Sequence, residues 1–272
     1  MSYLDELFSV TGKKALVTGA ASGIGRMVAT ALVRGGAHVM IASRRQAECE
    51  KVAEELNGIG PGTAEGFGGD VASEAGVVEL AAAVRARTDV LHILVNNAGL
   101  TWGEKLDNFP YHAWARILNV NVTGLFHLTR ELLSVLEAAA SPIDPARIIN
   151  LGSVMGTQPV ADGAYSYTAS KAAVHHLTRT LASELAERNI TVNAFAPGPF
   201  QSRMTSFATG TDEKAAKVAS RVPLRRIGNP DDIGGATLYL CSRAGSYVTG
   251  AILPIDGGQS VQHGVSLFKD LG

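Results

Sequence analysis

Tyr167 and Lys171 stand four residues apart in YTASK, at the head of a segment whose apolar Val174, Leu177, Leu181 and Leu185 recur at helical spacing as far as about Arg188. On a helix this spacing puts a phenol and an ammonium one turn apart on one face. A free tyrosine titrates at about pH 10, roughly three units too high to exchange protons readily at neutral pH, and a fixed positive charge beside it favours the phenolate. The pair suits a general acid for carbonyl reduction, or a general base for alcohol oxidation. Surface pairing also produces YxxxK, so its meaning depends on what precedes it.

Far upstream the chain reads TGAASGIG, with Gly19, Gly23 and Gly25. Glycine permits a tight turn and close approach of backbone to a pyrophosphate, and the free amides that open a helix favour an anion. The spacing is not GxGxxG, so a plain strand-to-helix turn stays open on this motif alone. The next apolar run, HVMIASRR, places Ser43, Arg44 and Arg45 where a dinucleotide fold usually carries the carboxylate that reads the adenosine ribose. A hydroxyl and a guanidinium suit a phosphate instead. The expected cofactor is therefore NADP(H). NAD(H) stays possible, because the helix-initiating turn carries Ser22 rather than another cation, and because the arginines could be a solvated helix start.

Positioning such groups takes alternating elements. Strands are predicted at about Lys14 to Val17, His38 to Ala42, Ala64 to Gly69, His92 to Asn96, Arg147 to Leu151, Thr191 to Ala196 and Ala251 to Ile255. Several are continuously apolar, as in central strands covered on both faces. Helical patterns fill the gaps at about Gly23 to Arg34, Gln46 to Asn57, Glu74 to Arg87, His112 to Glu137, Tyr165 to Arg188 and Asp231 to Cys241. The expected architecture is α/β: a single Rossmann-type domain over residues 1–272, its doubly wound parallel sheet of about seven strands covered by helices on both faces.

Bulk properties exclude several other classes. The 272 residues carry 24 basic and 25 acidic side chains, for a net charge of −1. There is no basic run of the kind that meets nucleic acid or an anionic membrane, which leaves a small molecule as the expected partner. The opening MSYLDELFSVTGKK has no basic stretch followed by an apolar core, and no apolar run approaches the length of a membrane span. A soluble, cytoplasmic protein is expected. Cys49 and Cys241 are far apart and form no metal-like cluster, so they read as reduced structural thiols, and no metal is called for.

With TGxxxGxG, NNAG and YxxxK in that order, the sequence resembles the short-chain dehydrogenases/reductases from about Gly12 to Gly258. The resemblance implies a cofactor cradle of Gly19, Ser22, Gly23, Ile24 and Gly25. It implies Asp70 and Val71 of GGDV at the adenine, and Asn97, Ala98 and Gly99 of NNAG beneath the cofactor. Pro197, Gly198, Phe200 and Ser202 are implied near the nicotinamide, with Ser202 replacing the threonine often found there. Tyr167 and Lys171 count in both the cofactor and the catalytic sets. The latter adds Asn121, aligned in LNVNVTG as the residue that kinks a helix and extends a proton path, and Ser153 of INLGSV, which bonds the substrate carbonyl. By the same resemblance Ser153 and Tyr167 hold the carbonyl oxygen, and Lys171 holds ribose hydroxyls and lowers the tyrosine pKa. Tyr165 reads as a pocket wall or core aromatic, and His175 and His176 as packing or interface residues.

From about residue 203 to 230 strand rhythm gives way to a polar, partly helical stretch. At this point relatives carry a substrate lid. Arg203, Arg225 and Arg226 there could meet a carboxylate or acidic carrier, or make salt bridges in a solvated lid. Among subgroups the chain most resembles bacterial 3-oxoacyl reductases and relatives in rhamnolipid synthesis, although the Ser141 to Pro145 insertion puts an acyl-carrier partner in question. Oxidation of a polyol, sugar acid or other secondary alcohol is the alternative. A nucleotide-sensing scaffold without chemistry is a remoter one. A homotetramer, or a homodimer, follows only from the family analogy.

Overall fold

The computed structural model describes residues 2–159, 163–202 and 204–262; Arg203 and the carboxyl-terminal GVSLFKDLG lie outside the described residues. Seven parallel strands form one sheet in the order β3-β2-β1-β4-β5-β6-β7. They are β1 Lys14–Thr18, β2 His38–Ser43, β3 Thr63–Gly68, β4 Ile93–Asn96, β5 Ala146–Leu151, β6 Ile190–Pro197 and β7 Ile252–Ile255. Every residue of β4, β5 and β6 is buried, as their unbroken apolar runs require of strands covered on both faces.

The helices are α1 Tyr3–Phe8, α2 Gly23–Arg34, α3 Gln46–Leu56, α4 Glu74–Arg85, α5 Tyr111–Leu118, α6 Leu125–Glu131, α7 Leu133–Ala139, α8 Tyr165–Leu185, α9 Ser206–Thr209, α10 Asp212–Ala219 and α11 Pro230–Cys241. Helices α2, α3 and α11 bury Val28, Leu32, Val52, Leu56, Ile233 and Leu240 on one face of the sheet. On the other, α4, α6, α7 and α8 bury Leu80, Val84, Leu128, Leu136, Leu181 and Leu185.

The predicted helix over His112 to Glu137 is in fact interrupted. Asn119–Gly124 forms a π-helical turn between α5 and α6, and a further break at Leu132 separates α6 from α7. Hydrogen bonds from the Asn121 side chain pull the turn out of register, as described below, while the apolar pattern runs on across it. The stretch expected to be partly helical holds α9 and α10. Arg225 donates to the Ser220 carbonyl and Arg226 pairs with Asp232, so the salt-bridge reading applies to Arg226.

Candidate active site

Strand order reverses between β1 and β4, and at such a point the loops leaving the strand ends diverge and open a crevice. A cavity of about 550 Å³ lies there. Its wall includes each residue expected at a cofactor: Gly19, Ser22, Gly23, Ile24, Gly25, Ser43, Arg44, Asp70, Val71, Asn97, Ala98, Gly99, Tyr167, Lys171, Pro197, Gly198, Phe200 and Ser202.

The glycine-rich turn is shaped by what faces it. Gly19 and Gly23 have φ of +68° and +60°, which only glycine adopts without strain. A Cβ on Gly25 would fall 2.3 Å from Asn97 Nδ2. That amide donates to the carbonyls of Thr18 at 2.8 Å and Gly19 at 3.2 Å, while Thr18 Oγ1 accepts from the main-chain N–H groups of Asn97 and Ala98. The NNAG segment thus clamps the loop from below. Ser22 precedes α2 yet makes no side-chain capping bond, which leaves its hydroxyl for a ligand.

At the end of β2, Ser43 Oγ accepts from the Arg45 N–H at 3.2 Å and contacts Cys49 Sγ at 3.0 Å. Arg45 pairs with Glu48 at 2.5 Å, whereas exposed Arg44 makes no ion pair or hydrogen bond among the described residues. Asp70 Oδ1 accepts from the Ala72 N–H at 3.0 Å. Phe200, only 2 % exposed, closes the cavity against Gly228, whose added Cβ would lie 2.3 Å from the ring. Ser202 reaches two ways. Its hydroxyl meets Thr205 Oγ1 at 3.0 Å, and its Cβ packs where a Gly23 side chain would be.

Ser153, Tyr167 and Lys171 converge at the other end of the cavity. Ser153 follows β5, and its hydroxyl accepts from the Met155 N–H at 3.2 Å and shares the cavity wall with the Tyr167 phenol. Lys171, one turn after Tyr167 on α8, is buried; its Nζ donates to the Leu151 carbonyl and lies 5.5 Å from the tyrosine ring centroid. Burial pushes the Tyr167 phenol above its usual range, and the Ser153 side chain acts in the opposite direction. Burial also brings Lys171 down to about 8. The expected lowering of the phenol by Lys171 is absent from this geometry: the ammonium points to a carbonyl, and the low-dielectric pocket favours neutral forms of both groups.

Asn121 does not line the cavity. It sits behind it, 2 % exposed, with Oδ1 accepting from the Leu100 N–H at 2.8 Å and Nδ2 donating to the Leu100 carbonyl and to Ser170 Oγ, both at 2.9 Å. It therefore joins the loop after β4 to α8, and this demand produces the π turn. Tyr165 packs edge-on against Phe109 at 5.2 Å. Sequence reasoning missed Thr18, Leu100, Thr101, Met204 and Thr205, which also line the cavity. Thr18, the first residue of TGxxxGxG, could have been found from its hydroxyl at a strand end.

A family profile described as "Enoyl-(Acyl carrier protein) reductase" matches residues 19–260. The rhamnolipids biosynthesis 3-oxoacyl-[acyl-carrier-protein] reductase of Pseudomonas aeruginosa is 41% identical over 251 residues, covering 92% of this chain and 97% of that protein. The chain belongs to the short-chain dehydrogenase/reductase family. Like other members, it is an oxidoreductase acting between CH–OH and C=O groups. Galactitol 2-dehydrogenase (L-tagatose-forming) of Cereibacter sphaeroides is 38% identical, covering 94% of this chain and 98% of that one. Among solved structures, the P. aeruginosa RhlG/NADP active-site complex matches with a TM-score of 0.90 at 40% identity, covering 94% of this chain and 99% of that one. This short-chain dehydrogenase/reductase contains no helix among its described residues long and apolar enough to cross a membrane.

Proposed function

We propose that the protein is an NADP(H)-dependent reductase that converts a ketone, of the 3-oxoacyl type or a near relative, to a secondary alcohol. The observation that carries this reading is the meeting of Ser153, Tyr167 and Lys171 at one end of a cleft that holds unpaired Arg44 at the other. The cleft suits a dinucleotide. Its positive-φ glycines and uncapped Ser22 at the start of α2 would hold the pyrophosphate, Ser43 and Arg44 the 2′-phosphate, and Asp70 and Val71 the adenine. Asn97, Ala98, Gly99, Pro197, Gly198, Phe200 and Ser202 would flank the nicotinamide end. The nicotinamide, when bound, supplies or accepts the hydride.

In this reading Ser153 Oγ and Tyr167 Oη hold the carbonyl oxygen. Tyr167 gives its proton to that oxygen as negative charge develops there. Lys171 would donate to the ribose hydroxyls of the bound nucleotide and place a cation beside Tyr167, and Asn121 holds the Leu100 loop and α8 in register. The whole chain acts as one domain in the cytoplasm, with a lid over roughly residues 203–230, and assembles as a homotetramer.

The Ser141 to Pro145 insertion lies before β5, at the opposite edge of the sheet from Ser153, where Asp144 pairs with Lys13 and Arg147. Its location leaves the substrate mouth free for a thioester. The galactitol 2-dehydrogenase relative supports a second reading, oxidation of a polyol. The deciding experiment is NADPH oxidation with a 3-oxobutyryl thioester, with NADH and galactitol plus NADP⁺ run beside it. Thioester turnover preferring NADPH supports the first reading, and galactitol turnover alone moves the assignment to the second. Light scattering on the eluted protein tests the tetramer: a monomer mass overturns it.

A further inference from the structure

His175 lies one turn beyond Lys171 on α8, 4 % exposed, outside the cofactor cleft. The segment leaving β5 bends around its ring. A Cβ on Gly152 would fall 2.2 Å from Nε2, and one on Gly156 would fall 2.8 Å from Cε1. Both glycines that bracket Ser153 at this bend therefore leave room for the imidazole. Inside the bend the Ser153 main-chain N–H donates to Nε2 at 3.4 Å, and Nδ1 meets Thr157 Oγ1 at 3.3 Å.

We propose that His175 is a positioning residue that sets Ser153 against Tyr167, a reading that rests on these two as the carbonyl-holding pair. Ser153 is held on two sides: its hydroxyl by the Met155 N–H, its main chain by the imidazole. Since His175, Lys171 and Tyr167 share one helix, α8 fixes both members of the pair. A rigid support of this kind is what keeps reacting groups at productive distance.

The arrangement specifies one form of the ring. Nε2 accepts, so Nδ1 carries the proton and donates to Thr157 Oγ1. A proton on Nε2 would face the Ser153 N–H, donor against donor. The charged groups acting on the ring are Arg179 and Lys171 of its own helix; Gly152–Thr157 and β6 contribute none. Burial first, then these two cations, holds the imidazole down to about 4 and keeps it neutral.

Nitrogen-15 spectra of histidine-labelled protein, with the His175 signal assigned by its loss in His175→Gln, are expected to show Nδ1 protonated and Nε2 bare down to about pH 5. A protonated Nε2 in that range overturns the proposal. With NADPH and a 3-oxobutyryl thioester, His175→Leu is expected to lower kcat about tenfold while KM and NADPH affinity stay within about twofold. His175→Gln, whose amide oxygen reaches the Nε2 position, regains most of that loss. In a Ser153→Ala background the leucine substitution is expected to cost less than about twofold, because its effect runs through Ser153. Equal losses in Leu and Gln variants, or full cost without the serine hydroxyl, overturn the proposal. If His175→Leu does not fold, the Gln variant and the spectrum carry the test. Normal turnover of Ser153→Ala itself removes the catalytic reading of the serine, while the nitrogen spectrum still decides the hydrogen bond.

Discussion

Lys13, Asp144 and Arg147 meet where β1 and β5 begin, and there both cations share one carboxylate. Lys13 pairs with Asp144, and Arg147 Nη2 donates to Asp144 at 3.0 Å and to the Ser242 carbonyl at 2.9 Å. At the other edge of the sheet, where strands end, Arg44 stands without an ion pair among the described residues, Ser22 caps nothing and buried Lys171 relies on one carbonyl. Both edges hold cations. The first ties the insertion before β5 to the rest of the fold; the second leaves its polar groups available, at some cost in stability, to whatever enters the cleft. Cations left without a carboxylate around a cavity are the mark of a site, and cations gathered on one the mark of a strut.

The contrast is broken most severely at Tyr167. Tyr167→Phe removes the proton donor but leaves the glycine-rich turn and its Asn97 clamp in place. Turnover is expected to fall about a thousandfold, roughly 4 kcal/mol in the barrier, with NADPH affinity unchanged. Stopped-flow turnover beside a fluorescence titration of NADPH measures the two separately. Near-normal turnover removes Tyr167 from the chemistry.

Lys171 gives the next largest effect, in stability. Burial lowers it from 10.5 to about 8 in the folded chain, so between these values the unfolded chain holds a proton that the folded chain has lost. Stability therefore rises with pH through this window, and the penalty is fully present below about pH 8. The stability gap between the ligand-free wild type and Lys171→Met is expected to change by roughly 3 kcal/mol in favour of the wild type from pH 8 to 10.5. Urea unfolding at a series of pH values reads that change. A pH-independent gap means that Lys171 is solvated in the folded protein.

At the opposite edge, Asp144→Ala strands Arg147, whose side chain is fully buried and whose Nε and Nη1 already lack partners among the described residues. Asp144 is itself 47% exposed, so water offsets part of the loss. A decrease of about 2 kcal/mol in unfolding free energy is expected, with turnover of the folded enzyme unchanged. An equal loss of turnover at fixed stability means that this edge communicates with the cleft, and the distinction between strut and site fails.

Most of the frame was legible in the sequence because the parallel sheet needs unbroken apolar strands, and α2 was bounded to the residue by glycine at its start and the loss of apolar pattern after Arg34. Tyr167 and Lys171 were legible because a helix makes four-residue spacing a contact. The interruption at Asn119–Gly124 was hidden, since it is imposed by Leu100 and Ser170, which are distant in sequence. The same is true of His175. Four-residue spacing from Lys171 puts His175 rather than His176 on the buried helix face, but its ring acquires meaning only when Gly152 and Gly156 fold around it. Charge partners were equally hidden: Arg44 and Arg45 are adjacent and alike on paper, yet Glu48 takes only Arg45.

That last difference yields the smallest and most specific test. Arg44 is exposed, so water competes for any phosphate it binds, and its contribution should lie near the lower end for a charge-assisted bond. Arg44→Asp is expected to weaken NADPH about tenfold more than NADH, roughly 1.4 kcal/mol of selectivity, because the carboxylate both removes the donor and repels a 2′-phosphate. Arg45→Asp is expected to change selectivity less, since Arg45 already faces Glu48. Equal loss of both nucleotides in Arg44→Asp would mean that the unpaired guanidinium does not meet the phosphate. If selectivity moves instead with Arg45, then the ion pair to Glu48 opens on binding, and a cation matched in the ligand-free protein is the one that the cleft uses.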